Sequence, residues 1–176
     1  MKKPIFLVGF MAAGKTSLGR FAAKRLGREF IDLDRYIESR YRQTVSQLFA
    51  SRGEDGFRII ENNMLHEVAE FDNVLIATGG GTPCYYDNMS YMKENGIVVF
   101  LSSSVDVICQ RLLVAKVKRP LVEKCTPEEL PQVVSAMLDQ RMPYYEQAHY
   151  TFPSDEYEKA KVLALATEEL RKIVSE

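Results

Sequence analysis

The sequence has few cysteines, no excess of either charge and no long hydrophobic run. Its three cysteines, Cys84, Cys109 and Cys125, are odd in number and lack the paired spacing of a zinc site or redox motif. They favour a reducing, cytoplasmic setting. The 23 Lys and Arg residues against 24 Asp and Glu give a net charge of −1, which predicts no general attraction to nucleic acid or membrane. Any anion must therefore be bound by locally placed basic residues.

The amino terminus has the outline of a signal peptide, because two lysines precede an apolar run at residues 5–13. A buried strand followed by a glycine loop accounts for more of the same residues, and we prefer that interpretation. No other apolar stretch approaches the roughly 20 residues of a membrane span. A chain of 176 residues with 46% apolar residues predicts one soluble domain with its own core.

Strands and helices alternate along the chain. Short apolar runs predict strands at residues 5–8, 30–34, 74–78 and 97–101, with a short fifth strand at 150–152. Helical periodicity predicts a helix that follows the glycine loop and ends at Gly27, and further helices at residues 36–51, 57–70, 105–113 and 155–174. This alternation predicts an α/β fold, in which a parallel sheet carries helices on both faces.

The regular pattern lapses at residues 114–125, in a basic stretch that contains Arg119 and Pro120. A loop of this length inside a small domain predicts either a lid or a disordered segment. Residues 126–129, Thr-Pro-Glu-Glu, then form a capping box, which predicts the start of a helix. We expect Pro131 to break or kink that helix, because proline removes a backbone donor.

The strongest local signal is the segment Gly-Phe-Met-Ala-Ala-Gly-Lys-Thr at residues 9–16, which matches G-x-x-x-x-G-K-[ST] in full. Gly9 and Gly14 let the backbone wrap so that N–H groups point at phosphate oxygens. Lys15 reaches the β- and γ-phosphates, and the Thr16 hydroxyl can hold Mg²⁺. A strand before the loop and an amphipathic helix after it are the context that this motif requires. The segment therefore predicts a site for a nucleoside triphosphate.

Two acidic residues, Asp32 and Asp34, end the second predicted strand. Residues two apart on a strand point the same way, and the carboxyl edge of an open parallel sheet is where ligands bind. One carboxylate could order the water shell of Mg²⁺ while the other accepts the proton of an acceptor hydroxyl. The alternative is that Asp34 caps the next helix and Asp32 is a solvated strand end.

Three arginines are candidates for binding an anionic substrate. Arg58 has Glu61 three residues on, close enough on a helix to brace it. Arg119 lies in the predicted lid, and Arg141 precedes Met-Pro-Tyr-Tyr. Taken singly, each is more readily explained as a solvated surface residue, because arginine is mostly exposed.

In combination, these motifs closely resemble those of the shikimate kinases. The resemblance runs from Gly9 to about Ala148, in the order and spacing of that family. It comprises the glycine loop, Phe-Ile-Asp-Leu-Asp at 30–34 with Ile37-Glu38, Gly53-Glu54 through Phe57-Arg58 to Glu61, Ala-Thr-Gly-Gly-Gly at 77–81, Arg119-Pro120-Leu121, and Arg141-x-Pro-x-Tyr145.

The resemblance implies a fold of the nucleoside-monophosphate-kinase type, a five-stranded parallel sheet with a mobile lid and a small helical substrate-binding region. The core would comprise residues 1–34, 74–113 and 141–176, the substrate-binding region residues 35–70, and the lid residues 114–125. The implied reaction is ATP- and Mg²⁺-dependent transfer of the γ-phosphoryl group to the 3-hydroxyl of shikimate, a step of aromatic amino-acid biosynthesis. We expect a cytoplasmic monomer that acts on a small molecule, with neither nucleic acid nor membrane as partner.

The resemblance also implies roles for individual residues. The ATP phosphates would be held by Ala12, Ala13, Gly14, Lys15, Thr16 and Ser17. Thr16 and Asp32 are the candidate metal residues, and Arg119 would close over the nucleotide. Asp34 would hold the acceptor hydroxyl, either as a base or by orienting it. The rest of shikimate would be held by Arg58, Arg141 and the Gly80 backbone, while Arg111 and the region of Pro153 are candidates for contacting adenine.

The sequence departs from the family pattern at three places. Ala12 replaces the usual glycine, a mild change if its φ is negative. Thr16-Ser17 inverts the common order of the two hydroxyl residues, and Val122 replaces a leucine. The alternatives are another small-molecule P-loop kinase, acting on gluconate or a nucleoside monophosphate, or a non-catalytic nucleotide-binding homologue. Loss of Lys15 or Asp34 would have indicated the latter, and both are present.

Overall fold

The computed structural model describes residues 2–115, 122, 125–155 and 160–174. Within them, five strands form one parallel sheet in the order β2-β3-β1-β4-β5. The strands are β1 (Ile5–Val8), β2 (Glu29–Asp32), β3 (Val74–Ala77), β4 (Ile97–Ser102) and β5 (Tyr150–Pro153). The predicted fold class, a five-stranded parallel sheet flanked by helices, is confirmed.

Helices cover both faces of this sheet. They are α1 (Lys15–Leu26), α2 (Leu33–Tyr41), α3 (Val45–Ala69), α4 (Asn88–Asn95), α5 (Val105–Val114), α6 (Leu130–Tyr145) and α7 (Ala160–Ile173), with a 3₁₀ turn at Thr82–Cys84. Successive side chains of β1 point to opposite faces. Ile5 and Leu7 therefore join one apolar cluster, with α1 and α7, while Phe6 and Val8 join the other, with α3 and α6. In the part of the chain described here, no helix has the length and apolar character to cross a membrane.

The segment predicted as one helix at residues 36–51 is two helices. Arg42 takes a left-handed conformation, with φ of 53°, and ends α2. Thr44 then begins α3 through a capping box: its side chain accepts from the N–H of Gln47, whose side chain accepts from the N–H of Thr44. Helical periodicity alone does not reveal such a break, because apolar residues recur on both sides of it.

The prediction that Pro131 breaks a helix is wrong. The helix α6 begins at Leu130, so Pro131 lies in its first turn, where a backbone N–H has no partner inside the helix. The capping box at Thr126 and Glu129 is present as two reciprocal hydrogen bonds of 3.3 and 3.0 Å, one turn before the helix. The short helix α4 was not predicted. Of the helix predicted at 155–174, residues 156–159 lie outside the described part.

Gly53 interrupts α3 with φ of 68° and ψ of 179°, a combination that is essentially restricted to glycine. The helix continues on both sides, and the bend brings the rings of Phe49 and Phe57 to 4.4 Å between centroids. The predicted boundary between two helical segments here corresponds to a bend in one element. It matters for function because Phe49 and Phe57 both line the pocket described below.

We expect Gly53→Ala to lower the free energy of unfolding by roughly 2 kcal/mol or more, because alanine has no low-energy state near these angles. Gly27→Ala is the matched control. Gly27 also has a positive φ and, like Gly53, open space where a Cβ would lie, but its φ of 64° and ψ of 37° are ordinary left-handed values. Its expected cost is about 1 kcal/mol. Urea denaturation of both variants tests the order, and an equal or smaller loss at position 53 contradicts the argument.

Candidate active site

The glycine loop joins β1 to α1 at the carboxyl edge of the sheet. Gly9 has φ of 140°, and a Cβ on it would lie 2.6 Å from the carbonyl oxygen of Leu101. Only glycine lets the loop pass this close to β4. Gly14, with φ of 95°, is the cap of α1 and has no side chain to accept from the N–H groups of the first turn. Those donors and the positive end of the helix dipole therefore face the loop, which suits a phosphate.

Lys15 is buried within this loop. Its Nζ donates to the carbonyl oxygens of Gly9 and Phe10, both at 2.8 Å. A buried ammonium group needs partners of this kind, since an isolated charge is costly to bury. The loop thus holds a positive charge through its own carbonyl oxygens.

Asp32 has two partners at the start of α2. Its Oδ2 accepts from the Thr16 hydroxyl at 2.8 Å, and its Oδ1 accepts from the N–H of Arg35 at 3.3 Å. Asp32 is therefore the cap of α2, and the interpretation of it as a solvated strand end is wrong. The structure brings Thr16 and Asp32 together beside the glycine loop, as two hard oxygen donors of the kind that Mg²⁺ prefers.

Asp34 lies in the first turn of α2, since β2 ends at Asp32. The prediction that the two carboxylates share one side of a strand is wrong, because the Asp32 cap starts a helix there. The alternative that Asp34 caps this helix is wrong for the same reason. Its carboxylate instead lies against the loop after β3, where a Cβ on Gly79 would be 3.1 Å from Oδ1 of Asp34.

A pocket opens between Asp34 and the glycine loop, with an empty volume of about 480 Å³ that includes space open to solvent. Its lining comes from segments that lie far apart in the chain. The lining residues are Met11, Asp34, Val45, Phe49, Phe57, Arg58, Glu61, Gly79, Gly80, Gly81 and Arg141. Sequence reasoning did not identify the apolar wall formed by Val45, Phe49 and Phe57.

The three glycines after β3 let charged groups approach the backbone. A Cβ on Gly81 would lie 2.7 Å from Nη1 and Nη2 of Arg58, and one on Gly80 would lie 3.4 Å from Nη1 of Arg141. A Cβ on Gly79 would lie 2.6 Å from Oε1 of Glu61. A side chain at Gly79 or Gly81 would displace a charged neighbour, whereas a Cβ at Gly80 would first meet the backbone nitrogen of Met11, at 3.0 Å.

Arg58 is buried, with 4% of its surface exposed, so the interpretation of it as a solvated residue is wrong. It donates to Glu61 at 2.8 Å and to Glu54 at 2.9 Å. Burial alone would lower the pKa of Arg58, but the charges and hydrogen bonds of Glu61 and Glu54 hold it above its ordinary value. Glu61, itself 1% exposed, also accepts from the Thr82 hydroxyl at 2.6 Å. The predicted bracing of Arg58 by Glu61 is confirmed.

Arg141 and Tyr145 project from the same face of α6. The guanidinium of Arg141 lies over the Phe10 ring, 5.1 Å from its centroid, and its buried Nη1 has no hydrogen-bond partner among the described residues. The hydroxyl of Tyr145 donates to the carbonyl of Gly80, and its ring stacks on Phe100 at 5.0 Å. Sequence reasoning assigned no role to Tyr145, although its spacing of four residues from Arg141 places it on the same helix face.

The remaining predicted residues that the structure describes lie around the glycine loop. Ala12 has φ of 63°. Alanine in place of glycine was expected to be a mild change only if φ were negative, so the change is not mild. Arg111 bonds to the Ala12 carbonyl and to backbone next to Pro153. Ala13 donates its N–H to the carbonyl of Phe10. Ser17 lies in the first turn of α1. Arg119 lies outside the described residues, as do residues 116–121, 123 and 124 of the predicted lid.

A lysine buried in a glycine loop at the edge of a parallel sheet, next to a pocket with an acidic side chain, defines the class of small-molecule P-loop kinases. Comparison with known proteins narrows this class. The sequence profile of the family described as shikimate kinase matches residues 11–172, and the chain belongs to the shikimate kinase family. As a member it is an enzyme that uses ATP as its nucleotide substrate.

Individual relatives match over nearly the whole chain. A shikimate kinase of Bacteroides thetaiotaomicron is 48% identical over 170 residues, which cover 97% of this chain and 97% of the relative. The crystal structure of shikimate kinase from that organism has a TM-score of 0.94 at 47% identity and covers 99% of both chains. A shikimate kinase from Acinetobacter baumannii, solved in complex with shikimate, has a TM-score of 0.87 at 38% identity and covers 98% of this chain and 93% of that one.

The buried pair of Arg58 and Glu61 makes a prediction about stability. Arg58→Met should lower the free energy of unfolding by about 3–5 kcal/mol, because it leaves the Glu61 carboxylate buried without its cation. The double variant Arg58→Met/Glu61→Gln should recover most of that loss, since glutamine carries no charge and still accepts from Thr82. Chemical denaturation of both variants provides the test. A double variant no more stable than Arg58→Met would show that the unpaired charge is not the cause.

Proposed function

We propose that this enzyme transfers the γ-phosphoryl group of ATP to the 3-hydroxyl of shikimate, with the pocket between Asp34 and Arg141 as the acceptor site. The observation that supports this most directly concerns two arginines that line the pocket, Arg58, which is buried, and Arg141, which is half-buried. Nη1 of Arg141 and Nε of Arg58 are both buried and lack a hydrogen-bond partner in the described part of the chain. Buried N–H groups are costly when unsatisfied, so a ligand that accepts from both is favoured.

A planar carboxylate suits these two guanidinium groups, because arginine binds it through directional, charge-assisted hydrogen bonds. The charge of Arg58 is already balanced by Glu61 and Glu54, which hold its guanidinium in place. Arg141 is therefore the main source of positive charge for the substrate carboxylate, and Arg58 adds a fixed donor. The Gly80 backbone, oriented by the Tyr145 hydroxyl, completes this side of the pocket.

Asp34 faces the acceptor hydroxyl in this proposal. The hydroxyl donates to the carboxylate, which orients the oxygen toward the γ-phosphorus and accepts its proton as the new P–O bond forms. The bond from the γ-phosphorus to the bridging oxygen breaks, and ADP leaves. Lys15 and the other residues of the loop at 12–17 stabilise the phosphate charge during transfer.

The residues at the start of α1 and α2 fit a magnesium ion. The Thr16 hydroxyl donates a hydrogen bond to Asp32, so the lone pairs of the Thr16 oxygen remain able to coordinate a cation. Asp32 adds a carboxylate nearby. When bound, Mg²⁺ neutralises charge on the β- and γ-phosphates.

Residues 35–70 form the proposed substrate-binding region. Arg119 is proposed to close over the nucleotide, as part of a lid at residues 114–125.

Measurement of ADP release with different acceptors tests the proposed substrate. Shikimate should stimulate ADP release strongly above the rate with ATP alone. Gluconate and nucleoside monophosphates should not, because they present their anionic groups and hydroxyls with different spacing. Stimulation by gluconate or a nucleoside monophosphate, with none by shikimate, would overturn the assignment.

We expect Asp34→Asn to lower kcat by roughly 100-fold or more, because asparagine cannot accept the proton. The melting temperature should change little, since Asp32 rather than Asp34 caps the helix. Asp106→Asn is the matched control. Asp106 is the second residue of α5, as Asp34 is of α2, so it reproduces the loss of an acidic residue from a first helical turn. Equal loss of kcat in both variants would contradict the assigned role.

Arg141→Lys should raise the KM for shikimate more than tenfold and leave the KM for ATP within about twofold, because lysine keeps the charge but loses the directional fork. Arg40→Lys, at a surface arginine paired with Glu67, should change neither constant. Initial-rate kinetics with each substrate varied separately provide the test. A parallel rise of both KM values for Arg141→Lys would place this arginine in the nucleotide site or in the general fold.

A further inference from the structure

The peptide group between Ala12 and Ala13 is held from both ends. Its N–H, from Ala13, donates to the Phe10 carbonyl at 3.2 Å, and its C=O, from Ala12, accepts from Nη1 of Arg111 at 3.2 Å. Ala12 itself has φ of 63°, a left-handed conformation that alanine adopts at a cost and glycine adopts freely. The orientation of this peptide group therefore depends on partners outside the residue.

Arg111 is fixed by three further acceptors. Nη1 also donates to the Ser103 hydroxyl at 3.3 Å, and Nη2 donates to the carbonyls of Ser154 and Asp155 at 2.9 and 3.1 Å. These acceptors follow β4 and β5, at the carboxyl edge of the sheet. The guanidinium of Arg111, which is 99 residues from Ala12 along the chain, thus connects the glycine loop to the ends of two strands.

We propose that Arg111 is a positioning residue for the phosphate loop, holding Ala12 in its left-handed conformation. If this bond is lost, Ala12 can relax toward a negative φ only by rotation of the adjacent peptide groups, because φ and ψ set their planes. The N–H groups that face the phosphates would then lose their common orientation. The contact offsets the cost of a left-handed conformation at an alanine.

This inference rests on phosphate binding by the loop and not on the identity of the acceptor. A double-mutant cycle between positions 111 and 12 tests it through the Kd for ADP, measured by calorimetry without shikimate. Arg111→Met should raise this Kd about tenfold when Ala12 is present, from loss of a hydrogen bond to a charged group. In the Ala12→Gly background the same substitution should raise it only about twofold, because glycine keeps the conformation without help.

Inorganic tripolyphosphate, which has no base or sugar, separates this role from direct contact with the nucleoside. Arg111→Met should weaken tripolyphosphate and ADP binding by the same factor. Ser103→Ala, which removes another partner of Arg111, should leave both Kd values within about twofold, because the bond to Ala12 remains. If Arg111→Met does not fold, Arg111→Lys in the two backgrounds replaces it, with the same direction of coupling expected.

Two results would overturn the inference. Equal loss of ADP affinity with Ala12 present and in the Ala12→Gly background would show that Arg111 does not act through the Ala12 conformation, as expected of a general structural role. Weakened ADP binding with unchanged tripolyphosphate binding would show that Arg111 contacts the nucleoside directly and leaves the phosphate loop unaffected.

Discussion

The ion pair between Arg58 and Glu61 is the interaction on which the acceptor side of the site depends. Both side chains are nearly fully buried, so each requires the other's charge. Glu61 also accepts from Thr82, whose carbonyl accepts from the Asn88 side chain, which in turn accepts from Asn62. This chain of hydrogen bonds connects α3 to the 3₁₀ turn and α4. It holds the glycine triplet against Arg58, and with it one wall of the pocket.

The donor side depends on a different constraint, the close approach of the glycine loop to β4. Gly9 passes within contact of the Leu101 carbonyl, while Lys15 bonds to the loop from within. The sheet joins the two sides, because its parallel strands all end at one edge. Loops after β1 and β3 therefore lie next to each other, and phosphate donor and acceptor can meet between them. Positioning of this kind is the main requirement for phosphoryl transfer.

Features that depend on residues close together in the sequence were predictable, and features that depend on particular tertiary contacts were not. The glycine loop, the strands and the fold class were predictable, because they depend on backbone freedom and hydrophobic periodicity within a few residues. The end of β2 was not, because strand and helix are both compatible with Leu33 and Asp34. The side chain of Asp32 decides between them by capping α2. Arg58 likewise resembles a surface residue in the sequence, because residues that are distant in the chain, such as Gly81, bury it in the fold.

The sequence by itself determined that this protein has a parallel α/β fold with a phosphate-binding loop, since each of those features is encoded by local spacing. The family resemblance added the candidate residues for the acceptor. Only the tertiary structure decided how those residues lie relative to one another: that Arg58 is balanced by two carboxylates, that Nη1 of Arg141 is left without a partner in the described residues, and that Ala12 is left-handed and bonded to Arg111. The physical reason is that burial and charge compensation are properties of neighbours in space, which can lie 99 residues apart in the chain.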